Sequence, residues 1–151
     1  MFSLLLLLAK CKLSGIFSNE SGILTSPSYP NPYPNNAECE YIISQPNGTC
    51  VNLTVEAFDV EAIGGCSTDF LEIRDGMDPD SPLLGKFCGN TIGSDIPTSI
   101  QSTQQNLRIS FRSNYIANGQ GFAFKYETGI CAGYQGKEYF KTLCKKTEGF
   151  N

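Results

Sequence analysis

The side chains in this sequence that could do chemistry are carboxylates and cysteines. The 151 residues contain 15 acidic residues, 7 cysteines and no histidine. The commonest general base and zinc ligand is therefore missing, which excludes Ser-His-Asp, Cys-His and HExxH sites. Catalysis would have to rest on two carboxylates, as in glycosidases, and Glu61 with Asp69 is the pair we nominate. No recognisable cleft motif accompanies this pair, so we expect no enzyme.

The cysteines are scattered, and none lies in a CxxC pair, which argues against a zinc or thioredoxin-type site. Wide spacing in a small domain predicts disulfides and hence an oxidising compartment. Three N-glycosylation sequons agree with secretion; they begin at Asn19, Asn47 and Asn52. The cysteines are Cys11, Cys39, Cys50, Cys66, Cys88, Cys131 and Cys144.

The composition and the two ends of the sequence indicate where the protein is located and which partners it could bind. The net charge is -4 and the pI about 4.8, which suits a cation or a basic partner and not nucleic acid. Residues 1–9 are apolar, end in Ala9 and are too short to span a membrane. They are interpreted as a truncated signal peptide, and the alternative is that the chain is a fragment of a larger protein. We place one domain at 10–128. Residues 129–151, with the basic pair at 145–146, are interpreted as a linker, an extension or the start of a further domain.

Apolar and polar residues alternate along several segments, which is typical of strands with one face on a core and one in water. Glycine- and proline-rich turns separate them, and the proline-rich stretch 26–34 predicts an extended, turning loop. The acidic run 75–80 is interpreted as a hairpin loop, because it lacks the ligand order of an EF-hand. The sequence thus predicts an all-β sandwich or barrel. The alternating segments are 51–57, 71–74, 107–112 and 122–127.

Taken in order, these residues resemble the CUB domain family from Cys11 to about Thr128. The segments around 70–76 and 81–88 are most similar to the CUB repeats of cubilin-type receptors. The motifs that carry the resemblance are Cys11, Gly22-Ile23-Leu24-Thr25-Ser26-Pro27-Ser28-Tyr29-Pro30, Tyr33-Pro34, Glu38-Cys39-Glu40-Tyr41-Ile42-Ile43, Phe58-Asp59-Val60-Glu61, Cys66-Ser67-Thr68-Asp69-Phe70-Leu71-Glu72-Ile73-Arg74-Asp75-Gly76, Leu83-Leu84-Gly85, Phe87-Cys88-Gly89, Phe111-Arg112-Ser113-Asn114 and Gly121-Phe122-Ala123-Phe124.

The resemblance implies a CUB-type jelly-roll sandwich of two antiparallel sheets. It also implies two disulfides, Cys11–Cys39 and Cys66–Cys88, which sequence alone could not pair. Cys50 lies outside that framework, and it could pair with Cys131 or Cys144, join a second chain, or stay free. A Cys131–Cys144 bond is an alternative for the last two cysteines.

The resemblance further implies one calcium ion at an end of the sandwich. By position the ligands are Glu61, Asp69 and Asn114, with Tyr33 supporting the glutamate and main-chain oxygens near Ile116 completing the shell. Calcium is a hard cation that prefers oxygen ligands. Asn114 stands where the family usually has a carboxylate, so we expect weakened affinity. The alternative is that Glu61 and Asp69 are ordinary solvated carboxylates.

Three functions follow from these observations. The first is an extracellular protein-binding module of the adhesion or receptor type, in which the calcium-bound carboxylates also hold a lysine or arginine of a protein partner. The second is a substrate-recruiting accessory domain of a secreted, tolloid- or complement-like protease whose catalytic domain lies elsewhere. The third, catalysis by the carboxylate pair itself, is the weakest.

Overall fold

The computed structural model describes residues 11–116 and 118–131. They form nine strands and no helix, so the alternating segments predicted from the sequence are strands as expected. No helix of the length and hydrophobicity needed to cross a bilayer occurs in this part of the chain. The strands are β1 (Gly15–Phe17), β2 (Ser21–Thr25), β3 (Glu38–Ser44), β4 (Cys50–Asp59), β5 (Phe70–Arg74), β6 (Leu83–Phe87), β7 (Ser99–Gln101), β8 (Asn106–Arg112) and β9 (Gly121–Gly129).

Two sheets pack face to face. The five-stranded sheet has the order β1-β3-β8-β5-β6, and the four-stranded sheet has the order β2-β9-β4-β7. Every neighbouring pair is antiparallel except β1, which runs parallel to β3 at one edge. The all-β, two-sheet sandwich is therefore confirmed, and the parallel edge pair is an addition to the purely antiparallel sheets that we expected.

The core lies between the sheets and follows from the alternation. In β8, Leu107, Ile109 and Phe111 are fully buried, while the residues between them face outwards and are half-buried. Phe111 contacts Phe122 of the other sheet with ring centroids 5.2 Å apart. A one-residue slip of β8 would turn every one of these side chains into water, so the apolar pattern also fixes the register.

Three disulfides tie the sandwich together. Cys11–Cys39 and Cys66–Cys88 are present, as the resemblance implies. Cys50 is bonded to Cys131, which selects one of the pairings left open by the sequence and rules out a Cys131–Cys144 bond. Cys144, the basic pair at 145–146 and the apolar segment 1–9 lie outside the described residues.

The strand directions give the domain two distinct ends. At one end lie the loops 26–37, 59–69 and 113–120, which we call the acidic end because the second loop contains three carboxylates. At the other end lie the connections 18–20 and 45–49, together with the Cys50–Cys131 bond. We call this the far end. The strands β3, β4, β8 and β9 each run from one end to the other.

Candidate functional site at the acidic end

The loop 59–69 carries two of the predicted ligands and has an unusual backbone. Val60 is bridged to Gly89 of the neighbouring chain segment by two backbone hydrogen bonds, 2.9 and 2.7 Å long. Gly64, Gly65 and Cys66 then take φ values of 69°, 67° and 62° in succession. Glycine adopts this left-handed region without a steric penalty, whereas cysteine rarely does. The bond from Cys66 to Cys88 holds the end of this turn next to Asp69.

Asp69 is the buried centre of the site. Its side chain has no solvent exposure. One carboxylate oxygen, Oδ2, accepts a hydrogen bond from the Tyr33 hydroxyl at 2.7 Å, and the other, Oδ1, accepts one from the Asn114 backbone N–H at 2.7 Å. Within residues 11–116 and 118–131, no lysine or arginine forms an ion pair with this carboxylate. A buried charge held by neutral donors alone is costly, because nothing nearby compensates its lost hydration.

Tyr33 connects the carboxylate to the core and to Glu61. Its ring packs edge-on against Phe111, with centroids 5.0 Å apart. Its hydroxyl donates to Asp69 and also accepts a 3.1 Å hydrogen bond from the Glu61 backbone N–H. Burial, and then the hydrogen bond to Asp69, raise the pKa of Tyr33 well above its ordinary value. The hydroxyl therefore remains a neutral proton donor and positions both acidic residues.

The remaining predicted residues lie around this pair. Glu61 is half-buried, and its Oε2 accepts a 3.3 Å hydrogen bond from the Thr68 hydroxyl. The Asn114 side chain accepts a 3.1 Å hydrogen bond from the Ile116 N–H through Oδ1, which stabilises the turn that carries it. The Asn118 side chain donates to the Tyr33 carbonyl at 2.7 Å, so it anchors the loop 113–120 to the proline-rich loop.

The structure thus brings all five predicted site residues to one end of the sandwich. Two further side chains, those of Thr68 and Asn118, form hydrogen bonds to these residues and were not predicted. The only signal for Thr68 was its position between Cys66 and Asp69, and Asn118 appeared only as half of an Asn-Gly turn. The sequon asparagines lie elsewhere, at or near the far end.

The donor set fits a hard cation. Two carboxylates and one amide oxygen are the ligand types that calcium prefers, and each bonded oxygen keeps a further lone pair. Among the residues that the structure describes, no group of three or more histidine, cysteine, aspartate or glutamate side chains is placed to hold a metal. The predicted ligands are two carboxylates, Glu61 and Asp69, and one amide, Asn114, so the set is one acidic side chain short of such a group.

Two other acidic features do not form binding sites. The Asp75 carboxylate is buried and accepts hydrogen bonds from the Thr103 N–H at 3.0 Å and the Thr103 hydroxyl at 2.5 Å. It fixes the connection between β5 and β6 to the segment before β8. On the outer face of the five-stranded sheet, Glu40 pairs with Arg108 at 3.0 Å and Arg112 at 2.5 Å. Arg112 also lies 3.6 Å from Glu38, so each of these carboxylates has a cationic partner.

Catalysis by the Glu61–Asp69 pair is disfavoured by this geometry. A general acid or base must reach the reacting group of a substrate. Asp69 is fully buried, and both of its oxygens already accept hydrogen bonds.

Comparison with known proteins identifies the family. The CUB domain family model matches residues 11–126. The chain belongs to the CUB domain family. Human cubilin is 37% identical over 117 residues, which are 77% of this chain and 3% of that protein. Mouse tolloid-like protein 2 is 37% identical over 108 residues, which are 72% of this chain and 10% of that protein. The chain therefore spans a small fraction of these relatives.

Solved structures agree with this assignment. The CUB2 domain of MASP-1, in a crystal structure bound to Ca²⁺, superposes with a TM-score of 0.66 at 35% identity, over 76% of this chain and 98% of that chain. The CUB1-EGF-CUB2 region of human MASP-1/3 gives a TM-score of 0.67 at 32% identity, over 80% of this chain and 43% of that one. CUB domains are generally non-catalytic interaction modules, and the disulfides of this one agree with an oxidising compartment.

Proposed function

We propose that this CUB domain is a secreted protein-binding module whose acidic end binds calcium and, with it, a lysine or arginine of a protein partner. Glu61, Asp69 and Asn114 supply side-chain oxygens to the ion, Tyr33 holds the two acidic residues, and main-chain oxygens near Ile116 complete the shell. The observation that carries the proposal is Asp69, a fully buried carboxylate that has two neutral hydrogen-bond donors and no cationic partner among the described residues.

The charge of the surrounding loops supports a cation. The loop 59–69 contains three carboxylates and no basic residue, and the loops 26–37 and 113–120 contain no charged residue at all. A concentration of one sign of charge, on loops held by disulfide and backbone contacts, attracts cations to this end of the molecule. Calcium bound between Glu61 and Asp69 would neutralise the buried charge and join the loop 59–69 to the loop 113–120.

The basic partner follows from the same arrangement. Glu61 is half-buried, so part of its carboxylate remains accessible beside the buried Asp69. An ammonium or guanidinium group that meets a partly desolvated carboxylate forms a stronger, charge-assisted hydrogen bond than one in open water. An exposed lysine or arginine side chain of a protein partner would supply such a group. The secreted location rests on the three disulfides and on the sequons.

The domain limits at 10–128 and the role of 129–151 as a linker, extension or further domain also remain proposals. A second function has specific support in the 37% identity to tolloid-like protein 2. In that case the domain recruits substrate for a protease domain carried elsewhere in a longer chain. The two functions differ in the partner, and they share the same calcium-dependent surface.

The test is a thermal melt of the oxidised protein in EDTA, in a few millimolar calcium and in magnesium. Extracellular calcium sites have dissociation constants of about 10⁻⁴–10⁻³ M. Ligand at about ten times that constant adds roughly 1.4 kcal/mol, which is a rise of several degrees for a domain of this size. We expect a rise with calcium that magnesium does not reproduce.

Two variants make this test specific. Glu61→Gln should reduce the calcium-induced rise, whereas Glu127→Gln, an exposed carboxylate at the far end of β9, should leave it unchanged. The same two variants can be passed over an immobilised lysine-rich peptide in calcium. Glu61→Gln should weaken retention and Glu127→Gln should not, whereas general attraction of an acidic protein to a basic surface would be weakened equally by both. Equal melting temperatures in EDTA and calcium would refute the metal site.

A further inference from the structure

The three sequon asparagines occupy different surroundings at one end of the domain. Asn19 lies in the connection 18–20, Asn47 in the connection 45–49, and Asn52 is the third residue of β4. Gln45 links the first two, because its side-chain nitrogen donates to the Asn19 carbonyl at 2.8 Å and the chain reaches Asn47 two residues later. All three are therefore on the opposite side of the molecule from Asp69.

Asn19 and Asn47 present free carboxamides. Both residues are exposed and lie in turns. Within residues 11–116 and 118–131, neither side-chain amide makes a hydrogen bond. The hydroxyl of Thr49, which completes the Asn47 sequon, instead donates to the Pro46 carbonyl at 2.7 Å and stabilises the turn that displays Asn47.

Asn52 differs from them because its carboxamide is part of the sheet. The residue is half-buried, and its Oδ1 accepts a 2.5 Å hydrogen bond from the Gln101 side chain on β7. Its Nδ2 lies over Gly129 on β9, where a Cβ would collide with that nitrogen. The nitrogen to which a sugar would be attached therefore fills the space left by the glycine and packs against the backbone of the next strand.

We infer that Asn19 and Asn47 carry N-linked glycans and that Asn52 stays unmodified although it lies in a sequon. The donor is a lipid-linked oligosaccharide of the secretory pathway. The bond from the asparagine Nδ2 to C1 of the first sugar forms, the C1–O bond to the lipid diphosphate breaks, and Nδ2 loses one proton. The inference rests on the secreted location in the proposed function and does not depend on calcium.

The cost of modifying Asn52 lies in the folded state. A sugar on Nδ2 cannot occupy the space over Gly129, so the side chain would have to turn away and release Gln101. The outer faces of β4, β7 and β9 would then lose a polar contact that joins them. Chains modified there would fold less stably, and less stable chains are depleted before secretion. Sugars on Asn19 and Asn47 project from turns and displace nothing.

This arrangement would also orient the domain. Two glycans at the far end shield the connections 18–20 and 45–49 from protein contact, and they leave the loops around Asp69 open. A partner would therefore approach the acidic end, where the site of the proposed function lies.

The test is glycopeptide mapping of the full chain secreted from a eukaryotic host behind an added signal sequence. Enzymatic release of the glycans in ¹⁸O water converts each modified asparagine to labelled aspartate. We expect label at Asn19 and Asn47 and none at Asn52. Asn19→Gln and Asn47→Gln should each remove one glycan from the intact protein, and Asn52→Gln should remove none. Label at Asn52 in the secreted protein, or its absence from either of the other two, would overturn the inference.

The Asn47→Gln variant also tests the physical reason. Asn47 and Asn52 are near neighbours in the chain, so a glycan on the first could hinder modification of the second. If Asn52 becomes labelled once Asn47 is removed, the neighbouring glycan, and not the sheet packing, had kept it bare, and the structural argument is wrong. Melts of the same secreted protein in calcium test the proposed function separately, because the labelling pattern does not depend on their outcome.

Discussion

The hydroxyl of Tyr33 offers a direct measure of how much the acidic end depends on one buried contact. Tyr33→Phe removes a single oxygen that donates to Asp69 at 2.7 Å and accepts from the Glu61 N–H at 3.1 Å. The ring and its packing against Phe111 remain. A hydrogen bond to a charged group contributes about 1.5–3 kcal/mol, and a buried donor left without a partner costs about 1–3 kcal/mol. We therefore expect a loss of about 2–4 kcal/mol.

Tyr41 provides a matched control. It is also fully buried, and its hydroxyl donates to the Thr25 carbonyl at 2.8 Å, which is a neutral acceptor. Tyr41→Phe should cost about 0.5–1.5 kcal/mol, the range of a hydrogen bond between neutral groups. The Tyr41 hydroxyl also lies 3.7 Å from Cys11 Sγ, so each hydroxyl has a second contact. The difference between the two losses therefore reports mainly on the charged acceptor, Asp69.

The assay is equilibrium unfolding in urea, with EDTA present so that no metal contributes. With a slope of about 2 kcal/mol per molar urea, the middle of the usual range, the midpoint should fall by about 1–2 M for Tyr33→Phe and by less than about 1 M for Tyr41→Phe. The slopes should stay unchanged. Equal midpoint shifts in the two variants would refute the argument that Asp69 is a buried charge dependent on this hydroxyl.

Three further predictions concern the Asp75 carboxylate, the disulfides and the ionisation of the buried tyrosines. Asp75→Ala should lower the free energy of unfolding in urea by about 2–4 kcal/mol because the Thr103 N–H and hydroxyl lose their shared charged acceptor; a loss no larger than that of the exposed Asp78→Ala would contradict this. Replacing Cys50 and Cys131 by serine should lower the free energy of unfolding by about 4.5 kcal/mol on the chain-entropy model, and replacing Cys66 and Cys88 by about 3.4 kcal/mol. The first loss is larger because that bond closes a loop of 81 residues and the other a loop of 22. Thermal melts that give the reverse order would contradict this. Burial raises the pKa of both Tyr33 and Tyr41, so the unfolded chain loses these two protons at a lower pH than the folded protein does. Stability should therefore decline as the pH rises above about 10. Urea midpoints that are constant from about pH 8 to pH 11 would refute this.

The sequence predicted the parts of the fold whose pattern reflects a half-buried surface. In β8 and β9 every second residue is apolar because one face meets the core, so the alternation alone was enough to place these strands. The short edge strands β1, β6 and β7 could not be placed in this way, since they expose residues on both faces, as Leu83 and Leu84 do in β6. Their positions depend on hydrogen bonds to distant strands.

The sequence likewise predicted the residues of the candidate site but not the contacts among them. The resemblance to CUB domains predicted Glu61, Asp69 and Asn114 as ligands, and the structure places all three at the acidic end. The complete burial of Asp69 and its two hydrogen bonds depend on loops that are distant in the sequence and could not be predicted. The pairing of Cys50 with Cys131 was equally beyond the sequence, because it requires the last strand to end beside the start of β4.

The disulfides also determine how the domain would respond to a pulling force. Cys11 is bonded to Cys39 at the acidic end, and Cys131 to Cys50 at the far end. Tension between residues 11 and 131 therefore follows a covalent path through 39–50 alone, and this segment is already extended as β3 and its turn. The loops that hold Glu61, Asp69 and Asn114 lie outside that path. The domain would behave as a nearly inextensible spacer whose acidic end stays unloaded while the chain around it is stretched.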